Sequence, residues 1–254
     1  MVLVWASTAT TNGIARDGHL PAGSGQARPV RRHPGATLLD PVPEFLSGLP
    51  GDPPALRAAD LGGDPFAAFR TWLELARGSE DPAVDAMALA TASAASVPSV
   101  RIVLLRGLDD RGLTFHTHRL SRKGDEIAAV PRAAIVLHWT RPIHRQVRVE
   151  GQVEPLEDET SDEYFRRRPV GGRLAAWASP QSQVVASRAE LEGLWEDARR
   201  RFPDDGAIPR PPNWCGYRVV PDIFEFWQGR QNRLHDRIRF RRLGESWIRE
   251  RLAP

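Results

Sequence analysis

Apolar residues follow two different periods along this chain, and the first is helical. After residue 64 they recur every three or four positions, as on one face of a helix. These positions are Phe66, Phe69, Trp72, Leu73 and Leu75. Asp64 is a favourable N-cap residue, and Pro65 suits the first helical turn. The pattern predicts a helix that begins at Pro65 and runs through Ala76.

The second period is that of a strand, and it begins near residue 86. Short segments rich in apolar and β-branched residues alternate with turn-forming residues, which is typical of antiparallel strands. These segments are 86–92, 99–105, 112–118 and 133–139. Residues 144–153 alternate strictly, which predicts a half-buried strand. Its polar face carries Gln146, Arg148 and Glu150, and its apolar face carries Val147, Val149 and Gly151.

The order of the predicted elements indicates the fold class. Further helices are predicted at 121–130, 157–168 and 188–202, and further strands at 217–220, 224–228, 236–241 and 247–251. Residues 166–183 read as loop and short helix. A helix, then strands, then helices, then strands indicates an α+β fold. Its sheet is mostly antiparallel and curled into a barrel, with flanking helices.

The first 60 residues differ from the rest. They are rich in Gly, Pro, Ala and Arg and show no sustained period, which predicts a disordered or extended N-terminal arm. Residues 61–254 are predicted to form the folded domain.

Composition excludes several classes of function. The pI is about 9.7, but the formal net charge is only +3 and charges of both signs are interspersed, so nucleic-acid binding is not expected. No apolar run is long enough to cross a bilayer, and no signal peptide is expected. The single cysteine, Cys215, fits a reducing cytoplasm. His116 and His118 lack a third ligand, so no metal site is predicted.

One lysine stands among the 35 basic residues, and it lies where an anion is favoured. Lys123 follows Arg122 at a predicted helix N-terminus, where backbone N–H groups and the helix dipole attract negative charge. Other polar residues stand out as well: Gln181 and Ser182 in a predicted loop, and Arg101, Arg233, His235 and Arg237 in strand-like segments. The last three alternate and would share one side of an extended segment. Together these groups could hold a phosphate with two or three charge-assisted donors, and also a second, oxidisable ligand.

At these residues the chain resembles the pyridoxamine 5′-phosphate oxidase family of FMN enzymes. The resemblance runs from about Asp64 to Pro254. Its motifs, in family order, are RIVLLR (101–106), SRKG (121–124), RQVRVEG (145–151), YFRRRP (164–169), SPQSQ (179–183), EFWQG (225–229), NRLHDR (232–237) and the terminal RLAP. The resemblance implies a split β-barrel oxidase domain that forms a homodimer, with FMN at the dimer interface.

The resemblance also implies the site residues and the chemistry. Lys123 would contact the FMN phosphate. The full set of implied flavin contacts is Arg101, Ile102, Val103, Leu104, His116, Thr117, Arg122, Lys123, Gln146, Gln181, Ser182, Trp227 and Arg237. The implied reaction moves a hydride from C4′ of pyridoxamine or pyridoxine 5′-phosphate to flavin N5. Dioxygen then reoxidises the flavin and yields hydrogen peroxide, and the product is pyridoxal 5′-phosphate.

The implied substrate residues include two departures from the family pattern. The set is Arg106, Tyr164, Arg168, Gly172, Arg233 and His235, of which Arg233 and His235 would lie over the pyridine ring as the catalytic pair. The family usually has lysine at the position of Arg106 and serine at that of Gly172. Residues 37–45 resemble the arm of the phenazine-biosynthetic flavin oxidases, a sister group.

Two other functions remain open at this point. One is a flavin oxidase of the same fold that acts on another reduced ring, such as a dihydrophenazine-like metabolite. The other is a flavin-, haem- or deazaflavin-binding split barrel without this catalysis. The substrate residues argue against the second.

Overall fold

The computed structural model describes residues 53–79 and 81–254. Residues 1–52, and with them the segment 37–45 of the predicted arm, lie outside it. The described chain begins against the C-terminal strands. The Leu56 side chain is buried, and its N–H donates to Asp236 Oδ2 at 3.0 Å. Gln228 Nε2 donates to the Pro54 carbonyl at 2.8 Å. The domain boundary near residue 60 and the character of the arm stay predictions.

The helices and strands follow the order expected from the sequence. The helices are α1 Pro65–Arg77, α2 Arg122–Ala129, α3 Asp158–Arg167, α4 Val170–Ala178 and α5 Arg188–Arg201. The strands are β1 Ala86–Ala92, β2 Pro98–Leu104, β3 Gly107–Leu108, β4 Leu113–His118, β5 Arg132–Trp139, β6 Arg145–Pro155, β7 Trp214–Gln228, β8 Asp236–Leu243 and β9 Ser246–Arg251. As the sequence predicts, Asp64 caps α1, accepting from the backbone N–H groups of Phe66 and Ala67.

The strands form one antiparallel sheet in the order β2-β1-β5-β6-β7-β4-β3, with β8 on β7 and β9 on β8. Strand β7 is long, and its two ends have different neighbours. Its first half, Trp214–Val219, pairs with β4, whereas Ile223–Gln228 pairs with β8. The sheet therefore divides along β7 and curls. This confirms the predicted α+β fold with a mostly antiparallel, curled sheet and flanking helices.

A bulge keeps β7 continuous where the sequence predicted a break. The register with β6 shifts between Glu150 and Gly151, so that Glu150 pairs with Ile223 and Gly151 with Pro221. A Cβ on Gly151 would lie 1.9 Å from the Val220 carbonyl oxygen, so only glycine permits this approach of the two backbones. The prediction of separate strands at 217–220 and 224–228 is wrong because the bulge leaves only Asp222 without a partner on β6, and the strand continues on both sides of it.

The concave side of the sheet is filled with apolar side chains, and α1 covers it. Trp72 meets Phe226 edge to face at 5.1 Å between ring centroids, and Phe66 meets Phe224 in the same way at 5.1 Å. Val147 and Val149 are fully buried, as the alternation of β6 predicts. A second cluster joins α3, α4 and α5 to the start of β7. It contains Phe165, Leu174, Ala176, Ala198, Ile208 and Trp214.

Candidate active site

A cavity of about 730 Å³ opens beside β2, β4 and the N-terminus of α2. This volume is in the range of small-molecule and cofactor sites. The lining includes most of the residues singled out from the sequence. Those residues are Arg101, Ile102, Val103, Leu104, Arg106, His116, Thr117, Arg122, Lys123, Tyr164, Arg168, Gln181 and Ser182.

The sole lysine lies at the start of α2 within this cavity. Its side chain is nearly buried, with 8% of the residue exposed. Its Nζ donates to Gln181 Oε1 at 2.8 Å, Thr117 Oγ1 at 3.0 Å and Ser121 Oγ at 3.1 Å. Burial lowers the pKa of Lys123 to about 8, and the nearby Arg101 contributes to the decrease. A compact ammonium with three donors fits this small polar space better than a planar guanidinium would.

The turn that precedes α2 requires a glycine. Ser121 caps the helix by accepting from the backbone N–H of Gly124 at 3.4 Å, and its own hydroxyl donates to the His118 carbonyl at 2.7 Å. A Cβ on Gly124 would lie 2.0 Å from the Arg119 carbonyl oxygen. The glycine thus allows the loop to fold closely over the helix, which brings Lys123 and the free N–H groups to the cavity.

A buried carboxylate pairs with both arginines at this end of the cavity. Glu126 Oε1 accepts from Arg122 Nε at 2.9 Å, and Oε2 accepts from Arg101 Nη2 at 3.1 Å. Oε2 also accepts from Thr91 Oγ1 at 2.5 Å and Ser99 Oγ at 2.6 Å. Burial acts to raise the pKa of Glu126, but the hydrogen bonds outweigh it and lower this pKa to about 2. Glu126 is therefore ionised at any physiological pH.

The opposite end of the cavity has parallel aromatic rings and further arginines. The His116 ring stacks on Tyr164 at 4.2 Å and on Trp214 at 4.9 Å between centroids. The Arg168 guanidinium lies 4.9 Å from the centre of the Trp214 ring. Burial and the charges of Arg168, Arg106 and Arg210 lower the pKa of His116 to about 4. His116 is therefore a neutral imidazole.

Several buried polar atoms at this end have no hydrogen-bond partner among the described residues. They are Nδ1 and Nε2 of His116 and Nη1 of Arg168. Burial also lowers the pKa of Arg168 below its ordinary value, with Tyr164 opposing and Arg106 adding to the shift. Such groups are costly to bury unless a ligand pairs with them. The arrangement suits an anion at Arg168, with a ring that lies near His116.

Gly172 lies next to this arginine rather than on the cavity wall. A Cβ at Gly172 would stand 3.3 Å from Arg168 Nη2, which is tighter than ordinary van der Waals contact. The glycine thus leaves room for the guanidinium. A serine here would require Arg168 to shift by a few tenths of an ångström.

The remaining predicted residues do not line this cavity and lie on three neighbouring strands and in the segment before β8. Gln146 pairs in register with Trp227, and Trp227 with Arg237. The His235 ring lies 4.8 Å from that of Trp227, and its Nδ1 accepts from the Arg230 N–H at 3.1 Å. This group, Gln146, Trp227, His235 and Arg237 together with Arg233, is called the distal group below.

Residues 233–237 are not one extended segment. Arg233 ends a short 3₁₀ turn, Gln231–Arg233, with a φ of 61°, and β8 begins only at Asp236. The alternation of Arg233, His235 and Arg237 on one side therefore does not occur. Arg233 is exposed, whereas His235 is partly buried. Burial and the charge of Arg233 lower the pKa of His235, which favours a neutral imidazole at physiological pH.

Sequence reasoning missed the groups that surround the predicted ones. Glu126 and Trp214 were not singled out, although Glu126 follows Arg122 by four residues, the spacing of a helical ion pair. Glu225, on β7, was not singled out either. It is 2% exposed and accepts from Arg237 Nε at 2.7 Å. Within residues 53–79 and 81–254, no cluster of three metal-ligating side chains occurs and no helix is long and apolar enough to span a membrane.

Comparisons with known proteins show the family to which the chain belongs. Residues 81–200 match the family described as pyridoxamine 5′-phosphate oxidase. Residues 214–254 match the pyridoxine 5′-phosphate oxidase C-terminal dimerisation region. This second match covers β7 to β9, and thus four of the five distal residues.

Among curated relatives, two pyridoxine/pyridoxamine 5′-phosphate oxidases illustrate the similarity. That of Salinibacter ruber is 52% identical over 193 residues, which are 75% of this chain and 89% of the relative. That of Cupriavidus necator is 50% identical over 201 residues, 79% of this chain and 93% of the relative.

Two solved structures share the fold. PhzG from Burkholderia lata, in complex with tetrahydrophenazine-1-carboxylic acid, superposes with a TM-score of 0.72 at 33% identity, over 80% of this chain and 100% of that chain. A pyridoxamine 5′-phosphate oxidase-related, FMN-binding protein from Nostoc punctiforme gives a TM-score of 0.61 at 21% identity, over 76% and 100%. The second likeness supports the fold alone.

Proposed function

Since this chain belongs to the pyridoxamine 5′-phosphate oxidase family, we propose that it oxidises pyridoxine and pyridoxamine 5′-phosphate to pyridoxal 5′-phosphate. The proposed cofactor is FMN, and the electron acceptor is dioxygen. The observation that carries the proposal is a cavity with a cationic group at each end. Lys123, Arg101 and Arg122 stand at one end, and Arg106 and Arg168 at the other.

The end near α2 suits the flavin phosphate. A phosphate there would meet the Lys123 ammonium, the Arg122 guanidinium and the N–H groups that begin α2. The Thr117 and Gln181 side chains accept hydrogen bonds from Lys123 and would contact the same cofactor. When bound, FMN supplies the two-electron chemistry that these side chains cannot perform.

The end near Arg168 suits the substrate phosphate. Arg168 can bind two phosphate oxygens at once, and its free Nη1 gives it an unmet donor. Tyr164 and Arg106 complete this subsite. A neutral His116 beside it offers one donor and one acceptor to a ring. These contacts would orient the substrate carbon that reacts, and orientation of this kind supplies a large part of the catalysis.

A second copy of the chain would complete the cavity. Strand β2 is an edge strand whose outward residues Val100, Ile102 and Leu104 are 69%, 66% and 43% exposed. All three residues also line the cavity, and an apolar row on an edge strand at the mouth of a cavity suits a dimer contact. The distal group would then reach the cavity of the partner. Arg233 and His235 would meet the substrate ring, and Gln146, Trp227 and Arg237 the flavin. A cytoplasmic location stays a prediction from the single cysteine.

The test is a direct assay on the purified full-length chain. We expect a flavin spectrum, and we expect pyridoxine 5′-phosphate under air to give pyridoxal 5′-phosphate and peroxide in equal amounts. Unphosphorylated pyridoxine is the control, and it should turn over poorly because Arg106 and Arg168 would lack their anion. Flavin-loaded protein that turns over neither phosphorylated vitamer would disprove the proposal.

A second candidate is an oxidase of a reduced tricyclic acid. The fold likeness to PhzG at 33% identity and the two departures Arg106 and Gly172 favour it. In the same assay a dihydrophenazine carboxylate would then be oxidised efficiently and the vitamers would not.

A further inference from the structure

We propose that Glu126 is a positioning residue, which orients Arg122 and Arg101 toward the phosphate of the flavin. The inference rests on the proposed function, since it assumes that this end of the cavity binds FMN. Glu126 itself does not line the cavity; the two arginines do. Its effect on the cofactor would therefore pass through them.

The hydrogen bonds of Arg122 leave its outer edge available. Its side chain is 61% exposed, and among the described residues only its Nε is engaged, by Glu126 Oε1 at 2.9 Å. A guanidinium fixed through Nε keeps both Nη groups for an anion, in the geometry that binds two phosphate oxygens. Without Glu126, this long side chain would be free to sample many rotamers.

Arg101 is fixed more completely and contributes mainly its charge. Its Nη1 donates to Thr91 Oγ1 at 2.6 Å and the Leu89 carbonyl at 3.0 Å. Its Nη2 donates to Ser99 and to Glu126 Oε2. Since Thr91 and Ser99 also donate to Oε2, the carboxylate and the guanidinium are joined through both hydroxyl groups. Arg101 thus forms a fixed cation beside Lys123.

The negative charge of Glu126 has two opposing effects on a bound phosphate. It repels the phosphate directly, and it reduces repulsion among Arg101, Arg122 and Lys123. If the carboxylate only neutralised excess positive charge, its removal would strengthen phosphate binding. If it positions the arginines, its removal weakens phosphate binding. The sign of the change therefore separates the two roles.

A purely structural role is separated by the choice of ligand. Riboflavin has the flavin ring but no phosphate, so it does not depend on Arg122 or Arg101 as phosphate ligands. A general disturbance of the cavity lowers the affinity for riboflavin and for FMN alike. A positioning role lowers only the affinity for FMN. The quantity to measure is thus the dissociation constant for riboflavin divided by that for FMN, which is the preference of the protein for FMN.

The experiment measures FMN and riboflavin binding to the full-length apoprotein by quenching of flavin fluorescence. For Glu126→Gln we expect FMN to bind about ten-fold more weakly or worse, the loss of roughly one charge-assisted hydrogen bond, with riboflavin changed less than about two-fold. The matched control is Glu154→Gln, a carboxylate that bridges Arg111 and Arg218 away from the cavity. It should change neither constant.

Two further variants keep the test decisive. Glu126→Asp retains the charge and gives a fallback if the glutamine variant folds poorly. The aspartate side chain is too short to reach both guanidinium groups, so the preference for FMN over riboflavin should still fall. In a double-mutant cycle, Arg122→Gln combined with Glu126→Gln should lose less than the sum of the single losses, because both act through one contact.

The outcomes are distinct. Unchanged or tighter FMN binding in Glu126→Gln, or an equal loss for FMN and riboflavin, overturns the positioning role. A wild-type protein that does not prefer FMN over riboflavin overturns the cofactor assignment in the proposed function instead.

Discussion

At the scale of single residues, hydrogen bonds and ion pairs between neighbouring side chains fix the polar groups of the cavity in place. Lys123 is nearly buried and donates to three oxygens, and Glu126 pairs with two arginines. The sequence led to Lys123, Arg101 and Arg122 because each is unusual in its local pattern. It did not lead to Glu126, since one carboxylate in a helix is ordinary until burial makes it costly.

The pKa of Lys123 predicts how cofactor affinity depends on pH. In the free protein this pKa is about 8, and a bound phosphate raises it. The phosphate is doubly charged above its second pKa of about 6. Above about pH 8, the free protein must take up a proton when FMN binds, so the dissociation constant should rise about ten-fold per pH unit.

Lys123→Arg is the matched control for this prediction, because a guanidinium stays charged throughout the range. Its dissociation constant for FMN should be higher at pH 7 and flat from pH 7 to 9.5. Fluorescence titrations at several pH values measure both curves. A wild-type curve that is flat over the same range would contradict the assignment.

At the scale of elements, most helices and strands follow from periodicity, and the exceptions have identifiable causes. The short helix predicted within 166–183 is confirmed as α4, although Gly171 and Gly172 have low helix propensity and do not favour it. Packing of Leu174 and Ala176 against the neighbouring helices stabilises it instead. The long β7 was missed because a bulge is a property of two paired strands, and no single strand displays it.

Gly124 gives a prediction that belongs to this scale. In Gly124→Ala the new methyl group would overlap the Arg119 carbonyl, so the loop before α2 must move away from the helix. We expect a loss of about 1–3 kcal/mol in the free energy of unfolding, with weaker FMN binding.

The control for the Gly124 prediction is Gly193→Ala in α5, where a Cβ meets nothing within 4 Å. That change should stabilise the protein by up to about 1 kcal/mol through helix propensity. Urea denaturation measures both variants. Equal stability of the two alanine variants would show that the loop is not constrained as described.

At the scale of the whole molecule, the predicted site is divided. The sequence grouped all of its residues as one site, but folding brings only part of them together in one chain, and the distal group stands elsewhere. Periodicity and motifs describe a single chain, so they do not reveal which residues meet across two copies. The match of residues 214–254 to a dimerisation region is the observation that bears on contacts between two copies.

A charged substitution in the exposed apolar row of β2 tests whether two copies share the site. Val100→Asp places a charge in the exposed apolar row, which also lines the cavity, and leaves the buried core unchanged, so the chain should fold. The proposed dimer should then dissociate, and FMN content and activity should be lost together. Leu75→Asp, on the 49% exposed Leu75 of α1, is the control and should stay dimeric. Sedimentation equilibrium and the visible spectrum give the answer. A monomeric variant that retains flavin and activity would refute the shared site.

The long β7 strand links the two parts of the divided site within each chain. Its first half pairs with β4, which carries His116 and Thr117, and its second half carries Trp227 and pairs with β8. In the proposed dimer, each chain would therefore supply one half of two different cavities. An inactive chain altered at Lys123 and an inactive chain altered at Arg237 would rescue each other when mixed. One cavity of the mixed dimer would receive both intact halves, and the other would receive both altered ones.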